Sequence, residues 1–186
     1  MYYELRNSPF EKFGVKKWPE LPDGVYAFQS GDLITVDIDQ PIEFIVDNTA
    51  ENPPTDFVTS FMPVLSDVLI NALKEAGVDN FQTYKAVLKN PETGESWSTY
   101  QVVNILGKIA CADMEKSIYK NIMGVDNEFT ELVIDIKKAK NALFFRLLES
   151  HEKIILHLDI AKKLFTADNK PIFKGLKFIA IKSSNK

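Results

Sequence analysis

Cysteine occurs once in the 186 residues, at Cys111, so no disulfide framework can staple the chain. No run of about 18 apolar residues is present, which excludes a membrane-spanning helix. The opening Met1-Tyr2-Tyr3-Glu4-Leu5-Arg6 has no apolar signal core, and a soluble cytoplasmic protein is the expectation. Neither a G-x-x-x-x-G-K-[ST] phosphate loop nor a G-x-G-x-x-G turn occurs, so no cofactor is expected. The most informative absence is of positive charge. Between Lys17 and Lys74 there is no Lys or Arg, while the same 56 residues hold ten carboxylates. At this chain's average content of bases, such a window has a chance of roughly one in a thousand.

What is present is ordinary globular material, 45% hydrophobic and 26% charged. A chain this long buries roughly 70% of its unfolded surface, enough for a core without staples. The net charge of −4 is a cancellation. Residues 1–60 carry −7, residues 61–136 carry −5, and residues 137–186 carry +8.

Tyr2 to Leu5 reads as a short strand, and Val25 to Phe28 as an extended piece. Leu33 to Ile38 alternates with period 2 and reads as a half-buried strand; Ile42 to Val46 reads as another. Leu65, Val68, Leu69, Ala72, Leu73 and Ala76 mark one helical face, with Ser66 placed to cap its start and Gly77 its end. Phe81–Leu88 and Ser96–Leu106 read as strands joined by a hairpin loop at Asn90-Pro91-Glu92-Thr93-Gly94. Residues 111–130 read as polar and irregular. Strands follow at Glu131–Ile136, Ala142–Leu147, Ile154–His157 and Leu176–Ile181, with a short helix at Asp159–Phe165. A weak echo links Val64-Leu65-Ser66-Asp67, helix, Gly77, Phe81 with Leu156-His157-Leu158-Asp159, helix, Gly175, Phe178.

The fold expected from these elements is α+β, an antiparallel strand-rich domain with two or three helices. Residues 1–55 are expected to form an N-terminal strand-rich lobe, either separate or within the same domain, and residues 56–186 the core, with the Pro53-Pro54 loop as boundary. Phe81, Val87, Val103, Ile105, Leu147, Ile155 and Phe178 are the expected core.

Candidate chemistry is sparse. Cys111 sits in Ile109-Ala110-Cys111-Ala112, an apolar setting that raises a thiol pKa, and reads as buried and inert. His151 and His157 are six apart and lack the clustered partners of a metal site; His151 reads as a solvated loop residue and His157 as capping or packing. Asp37 and Asp39 share a face, but the acids around them are spread too widely for a glycosidase pair or a calcium loop and read as a solvated acidic face. The lysine-rich tail has Arg146 as its single arginine, and base readout leans on arginine, so direct nucleic-acid binding is not expected. An acidic half remains, suited to a basic protein partner.

Several blocks are similar to a known family. They are the helix signature Leu65 to Phe81, then Val102-Val103-Asn104-Ile105-Leu106-Gly107, Asp113 and Lys116-Ser117. Leu143-Phe144-Phe145-Arg146-Leu147-Leu148-Glu149-Ser150 and the final unit Ile154 to Ile181 follow, with Tyr2-Tyr3 and Asp56-Phe57-Val58 also fitting. Together they resemble the eleventh numbered immunity-protein class of bacterial polymorphic toxin systems, long catalogued as a domain of unknown function. The second helix departs from the pattern, with Lys162-Lys163-Leu164-Phe165 in place of an alanine–glycine ending and a longer loop at Thr166–Lys174. The resemblance implies a binding protein rather than an enzyme, one that neutralises a cognate toxin by covering its active or substrate-binding surface. It implies no catalytic residue. Asp32, Asp37, Asp39, Glu43 and Asp47 are the partner-binding candidates, on the view that the acidic stretch imitates phosphate charge in a basic cleft. The alternative is a small-ligand-binding protein or enzyme, which a polar pocket reached by His151, His157 or Cys111 would favour. A broad acidic surface would favour the first reading.

Overall fold

The structure, a computed structural model, describes residues 1–8, 14–22, 28–59, 61–168 and 170–185. The first half of the chain forms β1 (Tyr2–Asn7), β2 (Val15–Lys17), β3 (Ile42–Val46), β4 (Phe57–Thr59), β5 (Val64–Ser66), α1 (Asp67–Glu75), β6 (Phe81–Lys89) and β7 (Ser96–Ile105). The second half forms β8 (Lys108–Ile109), β9 (Ile118–Ile122), β10 (Asp126–Glu131), β11 (Val133–Asp135), α2 (Ile136–Ala139), β12 (Phe144–Leu147), β13 (Ile154–His157), α3 (Leu158–Ala161) and β14 (Leu176–Ser184). Strand makes up 43% of the described residues and helix 13%, so the fold is mainly β and not the expected α+β. Two causes account for the correction. The helices are short: α1 spans nine residues, and α2 and α3 span four each. The segment read as irregular contains a paired ribbon, β9 with β10, whose β9 is almost wholly exposed and so has no apolar alternation to show.

Helix α1 forms where the capping chemistry places it. The Ser66 hydroxyl accepts the Leu69 N–H at 3.2 Å. At the other end Gly77 takes φ +99°, and Val78 and Gly77 donate to the carbonyls of Leu73 and Lys74, a Schellman closure. The buried face is Leu69, Ile70 and Leu73, while Val68 is exposed. The Asn90–Gly94 hairpin closes as its residues predict: Gly94 and Glu92 N–H groups donate to the Asn90 carbonyl and side-chain oxygens, and Gly94 has φ +76°.

Sheet one runs β11-β14-β1-β13-β12-β8, and sheet two runs β2-β3-β6-β7-β5-β4. The first 55 residues thus supply β1 to one sheet and β2 and β3 to the other. Alternate residues divide between layers. On β7, Val103 and Ile105 join a central core with Leu69, Leu73, Phe144, Ile154 and Ile160, while Val102 joins Phe44, Val64 and Leu88 on the outer face of sheet two. Ile155 on β13 turns outward beside Cys111, Phe145 and Leu147. Of the expected core, Val103, Ile105, Leu147 and Ile155 are buried, and Phe81 and Phe178 are half-buried against the central core. Val87 is half-buried, because Ala86 and Leu88 take the positions on β6 that face the outer core of sheet two.

Leu33–Ile38 forms no strand. Side-chain amides pair its start instead: Gln82 accepts from the Ile34 N–H and donates to the Ile34 carbonyl, and Asn104 donates to the carbonyl of Asp32 just before the segment. Leu33 and Val36 are left exposed. Of the extended piece read at Val25–Phe28, residues 25–27 lie outside the described residues, and Phe28 is fully buried.

The echo in the sequence corresponds to a repeated topology. In sheet two, β3 pairs parallel with β6, which pairs antiparallel with β7, then β5, then β4. In sheet one, β11 pairs parallel with β14, which pairs antiparallel with β1, then β13, then β12. Helix α1 leads from β5 to β6, and α3 from β13 towards β14, and both helices are buried in the central core. The N-terminal strand β1 fills in sheet one the place that β7 fills in sheet two. In each repeat the segment preceding the parallel strand covers the sheet's outer face. The two covers differ: an irregular acidic run precedes β3, and the β9–β10 ribbon precedes β11.

Candidate functional site

The described part of the base-free stretch that precedes β3 covers sheet two, with Trp18, Leu21, Phe28, Ile34 and Ile38 against its outer core. Asp32, Asp37, Asp39 and Glu43 are exposed and Asp47 is half-buried. Asp37, Asp39 and Glu43 come together with Glu20 along a groove of about 470 Å³, whose wall includes Trp18 and whose one cation among the described residues is Lys17. Trp18 is held edge-on to Phe44 and Phe61, with ring centroids 6.2 and 5.5 Å away. Even-numbered residues of β3 point into the core and odd ones outward, which sends Glu43 to solvent between buried Ile42 and Phe44.

The five candidate carboxylates are not equivalent. Glu43 pairs with Lys89 on the neighbouring strand β6. Asp47 accepts the Gly14 N–H at 2.7 Å and pairs with Lys16 at 2.7 Å. Burial works against the Asp47 carboxylate, but Lys16 and the Gly14 amide outweigh it and hold its pKa below the usual range. Asp32 lies outside the groove, near Lys108, whose pKa burial pushes down and whose neighbour Arg146 pushes it further. Trp18 and Glu20 were not among the sequence candidates. Glu20 lies in the base-free stretch and was legible there; Trp18 carried no signal.

A model of the Imm11 immunity protein family matches residues 4–183. The chain belongs to that family. No curated protein matches it. Membership in Imm11 points to a toxin-immunity role, to binding of a cognate toxin protein, and to an inhibitor rather than an enzyme. Among the described residues no helix of this Imm11 protein is long and apolar enough to cross a membrane.

The other sequence candidates serve the fold. Cys111 is fully buried in the outer core of sheet one, and burial, aided by the carboxylates of Glu149 and Asp135, pushes its thiol up to about 12. Iodoacetamide at pH 8 is therefore expected to leave the folded protein unlabelled and to label it once in denaturant; labelling of the native protein by mass spectrometry would contradict this burial. His157 caps α3, its Nδ1 accepting the Asp159 N–H at 3.3 Å, and its ring meets Tyr2 edge-on at 5.0 Å. His151 is half-buried; its N–H donates to Asp126 and its carbonyl accepts from the buried Arg146 guanidinium. Three further grooves lie at Glu4–Lys153, at Asn80–Phe144 and at Tyr3–Phe178. Cys111, His151 and His157 line none of these four grooves.

Proposed function

We propose that this protein binds and neutralises the toxin domain of a bacterial polymorphic toxin system inside the producing cell, by covering the toxin's active or substrate-binding surface. The observation that carries this reading is the match of the Imm11 model to residues 4–183. The acidic cover of sheet two is the proposed contact. Asp37 and Asp39 have no ion-pair partner among the described residues, so their charge is available to a cation brought by a partner. Fixed carboxylates around Trp18 suit Lys and Arg side chains that would otherwise hold a phosphate backbone. Complementary charge of this kind raises the encounter rate and falls away with salt.

The test uses charge reversal at Asp37 and Asp39. Asp37→Lys with Asp39→Lys is expected to slow association with the toxin domain encoded in the neighbouring reading frame by about tenfold or more, and to flatten its salt dependence. Both side chains are exposed, so the fold should be unaffected. Stopped-flow association rates unchanged between 50 and 500 mM salt would remove the acidic cover from the interface.

A further inference from the structure

The second cover carries a surface of different chemistry. β9 and β10 pair with each other and with neither six-stranded sheet. Their tip is apolar and bare: Met123 is 94% exposed and Val125 73%, and Ile118 and Tyr119 farther down the ribbon are also exposed. Scattered single exposed apolar residues need no explanation, but four within eight positions on one projecting element do.

The backbone sharpens the point. The Val125 N–H donates to the Ile122 carbonyl at 3.1 Å, closing a turn whose central residues Met123 and Gly124 both have positive φ, +52° and +76°. Such turns favour Asn or Gly at both central positions, and a long side chain at positive φ is uncommon. The Asn121 side chain braces the turn by accepting the Gly124 N–H at 2.7 Å. Methionine therefore stands where the local geometry favours another residue, and its side chain meets almost nothing in this chain.

Beside the tip lies a groove of about 660 Å³ between the ribbon and sheet one. Asp126, Glu128 and Glu152 line it; its cations, Lys153 and Arg6, are both engaged by Glu4. An apolar knob next to three carboxylates fits a concave, apolar protein surface rimmed by Lys or Arg.

We infer that the β9–β10 ribbon is a second contact for the toxin, with Met123 and Val125 entering an apolar depression and a basic rim meeting Asp126, Glu128 and Glu152. The inference rests on the immunity reading above. It places the contact on sheet one, opposite in the repeat to the acidic cover of sheet two.

Met123→Asn with Val125→Ser separates a contact from a structural role. Asn suits positive φ better than Met, so the thermal midpoint should hold or rise. The Kd for the toxin domain of the neighbouring reading frame, measured by calorimetry, should rise at least tenfold. A structural residue would move both in the damaging direction. An unchanged Kd in the stable variant overturns the inference, and so does a Kd that rises only in step with a falling midpoint. If the wild-type protein does not bind that domain at all, the immunity reading fails with it. If Asp37→Lys with Asp39→Lys weakens binding while the ribbon variant does not, the acidic cover alone is the interface.

Discussion

Gly175→Val is expected to destabilise the protein by roughly 3 kcal/mol or more, because strain and overlap act together. Gly175 has φ +78°, and a Cβ built there would lie 2.3 Å from the Thr55 hydroxyl and 2.8 Å from the Phe57 carbonyl. One of those neighbours is backbone and cannot swing aside. The position is also where the two sheets are tied. The Phe57 N–H donates to the Lys174 carbonyl and the Lys174 N–H to the Asp56 carboxylate, while the Ser8 N–H donates to the Gly175 carbonyl and extends the β1–β14 pairing within sheet one. The other Asp56 oxygen accepts from Ser66, the cap of α1. A valine that lifts β14 from Thr55 therefore loosens the start of α1 as well. Gly77→Ala is the control. Gly77 has φ +99° but nothing within 4 Å of a built Cβ, so only the conformational cost of about 1 kcal/mol applies. Thermal melts should show a drop of roughly 6–12 °C for Gly175→Val and of about 2–4 °C for Gly77→Ala. Equal drops would mean that the contact with Thr55 and Phe57 is unimportant.

The second large effect is expected at the ion pair of Glu4 and Lys153. The Lys153 ammonium donates to both Glu4 oxygens, at 2.9 and 3.0 Å, and each side chain is only 8% exposed. Removing one member of a buried pair leaves an uncompensated charge, at a cost of about 3–5 kcal/mol. The two members differ, because Arg6 also pairs with Glu4. Glu4→Leu strands the buried Lys153, whereas Lys153→Met leaves Glu4 with Arg6. Glu4→Leu should therefore cost more, and the double variant should recover much of the loss. Urea unfolding measures all three. Equal losses would show that Arg6 contributes nothing to Glu4, and additive losses in the double variant would show that the pair is not coupled.

Much of the fold was legible where local chemistry and burial agree. Ser66, Gly77 and the Asn90–Gly94 loop each specify a backbone conformation, and α1 and the β6–β7 hairpin lie where those residues put them. Two kinds of error came from pattern without context. Leu33–Ile38 alternates like a strand, but the Gln82 amide takes both backbone groups of Ile34, and Asn104 takes the carbonyl of Asp32 just before it. The ribbon was missed for the opposite reason, since β9 is paired yet packs little. The topological repeat was only hinted at, because its halves share order and pairing more than residues, and β1 comes from the far end of the chain.

The candidate site was legible as charge and not as shape. The absence of Lys and Arg from 18 to 73 singled out a stretch of ten carboxylates, and three of the five candidates among them, Asp37, Asp39 and Glu43, line one groove. Linear order could not show that Glu43 and Asp47 already hold Lys89 and Lys16, or that Trp18 forms the wall. Those partners are 46 and 31 residues away along the chain, and only the β3–β6 and β2–β3 pairings bring them close.

Co-expression with the toxin domain of the neighbouring reading frame tests the immunity reading most directly. Toxin alone should arrest growth, and toxin together with this protein should restore it, with the two purifying as one complex. Growth arrest that persists while both proteins accumulate in soluble form would contradict it.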